Sequence, residues 1–140
     1  MKKVVYYFSK AGNTKLIAEA IATELGVNAE PIDNYQKVAV DVLFIGGSLK
    51  ADGIDAKLKK FLLDLSPELI GNLVCFGTSA SGNAVLPAIK GVLKDSKLNI
   101  VAESFVCKGK FLLMNRGKPD AEDCANAKVF ASRVINSLKI

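Results

Sequence analysis

Histidine and tryptophan are both missing from this 140-residue chain, and cysteine occurs only three times. Without an imidazole, Ser-His-Asp and Cys-His chemistries lose their usual general base, and a zinc site loses one of its commonest ligands. Cys75, Cys107 and Cys124 lie far apart with no Cys-x-x-Cys pair, so they are expected to be reduced thiols packed in a core. No apolar run approaches the roughly 20 residues that span a bilayer. Met1-Lys2-Lys3 leads into the short apolar run Val4-Val5-Tyr6-Tyr7-Phe8 before Ser9, too brief for a secretory signal. The expectation is a cytoplasmic protein without a membrane partner.

What is present is the balance of a globular protein: 50% hydrophobic and 24% charged residues, in a length that suits one domain over residues 1–140. The net charge of +5 favours acidic partners. The lysines are scattered, with no aromatic-interleaved stripe, so nucleic acid is not an expected ligand.

Periodicity divides the chain into strands alternating with helices. Val4–Phe8 reads as a buried strand. A helix follows from about Thr14 to Leu25, with Ile17, Ile21 and Leu25 on one face and Gly26 as its stop. Val27–Ile32 is a short strand placed at an edge by Pro31, which cannot donate a ladder bond. Val38–Ile45 is the clearest central strand and is expected to stop at Gly46-Gly47-Ser48. Asp55 caps a helix carrying Leu58, Phe61, Leu62 and Leu65, and Pro67 breaks it. Leu73–Phe76 is a further strand, and Gly77 to Asn83 a polar loop. The next helix, with Val85, Ile89, Val92 and Leu93, holds Pro87 in its first turn. Ile100–Cys107 is the last strand, Lys108–Lys118 a loop, and Pro119-Asp120 opens a final helix with Cys124, Ala127, Ala131, Val134, Ile135 and Leu138 on one face. Such alternation predicts an α/β protein with a parallel sheet covered on both sides.

Ser9-Lys10-Ala11-Gly12-Asn13-Thr14 joins the first strand to the first helix. A tight loop opening a helix gathers backbone N–H groups where the dipole is positive, which suits a phosphate; the alternative is an ordinary helix cap and turn. Around this loop, Tyr7-Phe8-Ser9-Lys10-Ala11-Gly12-Asn13-Thr14 resembles the Ser/Thr-x-Thr-Gly-x-Thr phosphate loop of the flavodoxin family. It departs from it at Ala11 and Lys15, where hydroxyls are common. The segments Cys107-Lys108-Gly109-Lys110-Phe111 and Arg116-Gly117-Lys118-Pro119-Asp120 also look like one branch of that family.

The resemblance implies a flavodoxin-like three-layer sandwich with a five-stranded parallel sheet of order 2-1-3-4-5, in its short-chain form. It further implies FMN as cofactor, its phosphate on Ser9, Lys10, Ala11, Gly12, Asn13 and Thr14. The ring would lie between the loop from Gly46 to Gly53, chiefly Ser48, Leu49, Lys50 and Ala51, and the loop of Thr78, Ser79, Ala80, Ser81, Gly82 and Asn83. Neither loop has an aromatic residue, so the ring is covered by Leu49, Lys50 or Ala51, by an aromatic such as Phe111, or is held weakly. For the loop around Lys108–Lys118 the sequence favours a tether for the last helix. The expected function is electron transfer between redox partner proteins with an acidic docking surface, without catalytic or metal-binding residues. The alternatives are an FMN-dependent NAD(P)H or quinone reductase, and a module of the same fold that has lost the flavin.

Overall fold

The computed structural model describes residues 1–139. Its five strands, β1 (Lys3–Tyr7), β2 (Ala29–Pro31), β3 (Val40–Leu49), β4 (Ile70–Ser79) and β5 (Phe105–Lys108), form one parallel sheet of order β2-β1-β3-β4-β5. Four helices connect or follow them: α1 (Asn13–Leu25), α2 (Ala56–Leu63), α3 (Leu86–Val92) and α4 (Ala121–Leu138).

Strand side chains alternate between faces, and the central strands are apolar on both. Val42, Phe44, Val74 and Phe76 point into a core with Ile17 and Ile21 of α1 and Phe130 and Val134 of α4. Leu43, Ile45, Leu73 and Cys75 point the other way, against Leu58 and Leu62 of α2 and Ile89 of α3. The three layers are therefore α1/α4, sheet, and α2/α3.

Local signals set several helix ends. Gly26 caps α1 in the left-handed conformation, Asp55 accepts from the Lys57 amide at the start of α2, and Pro87 sits in the first turn of α3. Asp120 and Asp123 form a reciprocal capping box on α4.

Several expected boundaries need correction. β3 does not stop at Ile45 but runs through Gly46, Gly47 and Ser48 to Leu49, and β4 extends from Ile70 to Ser79. The glycines there fit a crowded sheet: a Cβ on Gly46 would lie 2.1 Å from the Phe76 ring. The helix after Asp55 ends at Leu63, leaving Leu65 beyond it but still buried. Ile100–Cys107 is not one continuous strand. Ile100 makes an isolated parallel bridge to Leu73, and regular pairing resumes only at Phe105. Between them Glu103 turns to the surface to meet Arg133. Of the cysteines only Cys75 is buried; Cys107 and Cys124 are half-buried.

Candidate functional site

Register brings the carboxyl ends of the strands to one edge. Tyr7 pairs with Gly46, Gly46 with Phe76, and Phe76 with Phe105. The loops leaving β1, β3, β4 and β5 surround a cleft of about 880 Å³ at that edge, in the size range of cofactor sites. Open parallel sheets present their ligand crevice at such an edge, where the strand order reverses.

In the first loop, Gly12 takes a left-handed conformation (φ 92°) and its N–H donates to Ser9 Oγ at 3.1 Å. The chain then turns directly into α1. Among the described residues, no hydrogen bond takes up the amides of Ala11, Asn13, Thr14 or Lys15. These are the free donors of a helix N-terminus. Lys10, Ala11 and Asn13 line the cleft, whereas Ser9, Gly12 and Thr14 stand behind its wall.

Thr14 is fully buried, and its hydroxyl forms a triangle with those of Ser48 and Thr78: 2.9 Å to Thr78, 3.2 Å to Ser48, and 3.2 Å between Ser48 and Thr78. The triangle ties the first turn of α1 to the ends of β3 and β4. The Asn13 side chain is likewise engaged, donating to the Lys110 carbonyl at 2.9 Å.

Ser48, Leu49, Lys50 and Ala51 line the cleft from β3 and the turn after it, where Lys50 and Gly53 exchange backbone hydrogen bonds. Gly46 and Gly47 do not reach it; they lie inside the sheet. Thr78, Ser79, Ala80, Ser81 and Asn83 form the opposite wall, with Gly82 set back against the Lys108 side chain. Ser79 Oγ donates to the Asn83 carbonyl and the Asn83 amide donates to Ser81 Oγ, which curls the loop.

At the rim Lys10 Nζ lies 3.2 Å from Asp55. The Lys57 amide, then Lys10, hold the Asp55 carboxyl below its usual range. Part of the positive charge beside the first loop is thus already paired.

The loop between β5 and α4, expected as a tether for the last helix, also forms a fourth wall of the cleft. Phe111 and Met114 exchange backbone hydrogen bonds at 3.1 and 2.8 Å, making a hairpin whose Phe111 and Met114 side chains line the cleft. Its base is fixed by Gly109 N–H to the Ser79 carbonyl, and by Asn115 Nδ2 to the Ala80 and Gly109 carbonyls. A Cβ on Gly109 would lie 2.7 Å from Asn13 Nδ2, so glycine allows this chain to cross the start of α1. The signal for this wall was the apolar quartet Phe111-Leu112-Leu113-Met114 inside a loop rich in glycine and cations.

The cysteines are poor nucleophiles. Burial, then Asp123, pushes the Cys107 thiol to about 12, and burial pushes Cys75 to about 12. The cleft therefore pairs free amides at one end with small, apolar and hydroxyl-bearing walls. That set suits a ligand with an anionic group and a flat body, and the residues present fit FMN.

No family model matches the chain, and no curated protein matches it. Solved structures do. A flavodoxin from the domain Archaea is similar over 100% of both chains, with a TM-score of 0.78 at 17% identity. Oxidised Flavodoxin 2 from Bacillus cereus is similar over 99% of this chain and 100% of its own, with a TM-score of 0.75 at 18% identity. Two-electron reduced Megasphaera elsdenii flavodoxin is similar over 94% of this chain and 98% of its own, with a TM-score of 0.67 at 19% identity. Strand order, layer arrangement and these likenesses agree: the chain has the flavodoxin fold.

Proposed function

We propose that the cleft binds FMN and that the protein is an electron carrier of flavodoxin type. The observation that carries this reading is the set of unengaged amides of Ala11, Asn13, Thr14 and Lys15, in the turn that Gly12 bends into α1, with Ala11 and Asn13 lining one end of the cleft. A phosphate there would accept several hydrogen bonds at the positive end of α1, with Lys15 contributing charge in place of a hydroxyl. The β3 and β4 ends offer backbone groups and short side chains to the ring, and Phe111 and Met114 supply its apolar cover.

Bound FMN would supply one- and two-electron chemistry, while the protein's residues position it and set the charge around it. No helix among the described residues is long and apolar enough to cross a membrane. Three free thiols suit a reducing compartment such as the cytoplasm.

Absorbance spectra of the protein purified with and without added FMN test the reading. The expected result is a flavin spectrum that stays with the protein through gel filtration at one flavin per chain. Failure to retain FMN sinks the proposal and leaves a flavodoxin-fold module without the cofactor. Consumption of NAD(P)H with a quinone above the rate of free FMN would favour a reductase instead.

A further inference from the structure

We propose that the hairpin tip Leu112-Leu113, with its collar of Lys108, Lys110 and Arg116, is the docking point for a redox protein whose own docking face is an apolar hollow ringed by carboxylates. The proposal rests on the electron-carrier reading and names the partner of that same site.

Leu112 and Leu113 are 77% and 76% exposed, the most exposed large hydrophobics among the described residues. Leu112 also adopts φ 54°, a left-handed conformation that a leucine takes at a cost and that glycine would relieve. Two adjacent leucines held in water on a strained turn contribute nothing to the core. Contiguous exposed apolar groups rimmed by polar ones mark interaction sites.

The hairpin is not a loose loop. Its base is laced to the β4 loop through Asn115 and to α1 through Asn13. Little ordering remains to be done when the tip is buried, which favours association. Phe111 and Met114 face the cleft while Leu112 and Leu113 stand clear of it. A partner seated on the tip therefore sits at the mouth of the cofactor cleft.

Charge selects the partner. From Cys107 to Pro119 the sequence holds four cationic residues and no acidic one. Lys118 is held by Asp120 and Asp123, but Lys108, Lys110 and Arg116 are exposed and form no ion pair among the described residues. Across the mouth, Lys50 is exposed and unpaired among the described residues, Lys10 is paired with Asp55, and Asp52 is the remaining acidic lining residue. A cationic collar around an apolar tip complements carboxylates around an apolar hollow and steers encounter with them.

The test is an NMR titration of the full ¹⁵N-labelled chain, as purified, with cytochrome b5 as an acidic haem protein and cytochrome c as a basic control. Expected are shifts concentrated at 108–116 and the β3 and β4 loops with cytochrome b5 only, weakening as salt rises. Leu112→Ser/Leu113→Ser should raise the Kd by about tenfold, and Lys108→Glu/Lys110→Glu/Arg116→Glu should abolish binding. An unchanged thermal midpoint in both variants shows that the fold is kept. The proposal is overturned by shifts centred elsewhere, by equal binding of both cytochromes, or by neither variant mattering. It is also overturned if phosphatidylglycerol vesicles, or a second copy of the chain, engage the tip while cytochrome b5 does not. Failure to retain added FMN would refute the flavin assignment and still leave the titration readable, so the two failures are distinguishable.

Discussion

Thr14 shows how one side chain can support the cleft without touching its contents. Its hydroxyl is buried and bonded to Ser48 and Thr78, so Thr14→Val removes one member and leaves two polar groups short of a partner. Urea unfolding should show a loss of about 1–2 kcal/mol. Adding Thr78→Val should cost less than a second independent loss, because the interaction is shared. Phe111 acts differently: it is 57% exposed and lines the cleft, so Phe111→Ala should leave stability nearly unchanged. In an FMN titration followed by fluorescence quenching, it should weaken binding by about three- to tenfold, the scale of a lost ring contact.

Among the elements, α4 carries a pH-dependent cap. The Asp123 amide and then Lys118 hold the Asp120 carboxyl at about 2. A carboxylate depressed in the folded state stabilises fully above its unfolded value of ~3.9 and loses that contribution as pH falls toward 2. Asp120→Ala should therefore lower the thermal midpoint by several degrees at pH 7, and the gap to the wild type should close between pH 4 and pH 2. Caps of this kind were legible in the sequence, as were Gly26, Asp55 and Pro87, because each acts within its own turn. Strand extent was not: Gly46-Gly47 and Gly77-Thr78-Ser79 carry turn chemistry, and only the Phe76 ring and the neighbouring backbone show why glycine sits inside a sheet. That the β1, β3 and β4 loops gather at one cleft was legible from their polar, small residues at strand ends. Of the hairpin wall only Phe111 was legible, as one candidate to cover the ring; the hairpin's place was not, since it depends on Gly109 meeting Asn13 from the opposite end of the chain.

At the scale of the whole molecule, the net charge of +5 sets the field in which a bound flavin would sit. Positive surroundings favour an anion, so the potential for forming the fully reduced, anionic flavin should be less negative than in acidic proteins of this fold. Raising the ionic strength screens that field and should drive the potential downward. Spectroelectrochemical titration at two salt concentrations checks both; a value that rises with salt would contradict the electrostatic account. The same field bears on the hairpin, where cations and leucines stand together at the cleft mouth.

The closed triangle of Thr14, Ser48 and Thr78 has one more consequence. Each oxygen can donate to one neighbour and accept from the other, so the three protons can circulate in either of two senses around the same heavy atoms. Reversing the circulation exchanges donor for acceptor at every oxygen without moving a heavy atom, so the tie between α1, β3 and β4 is kept in both senses.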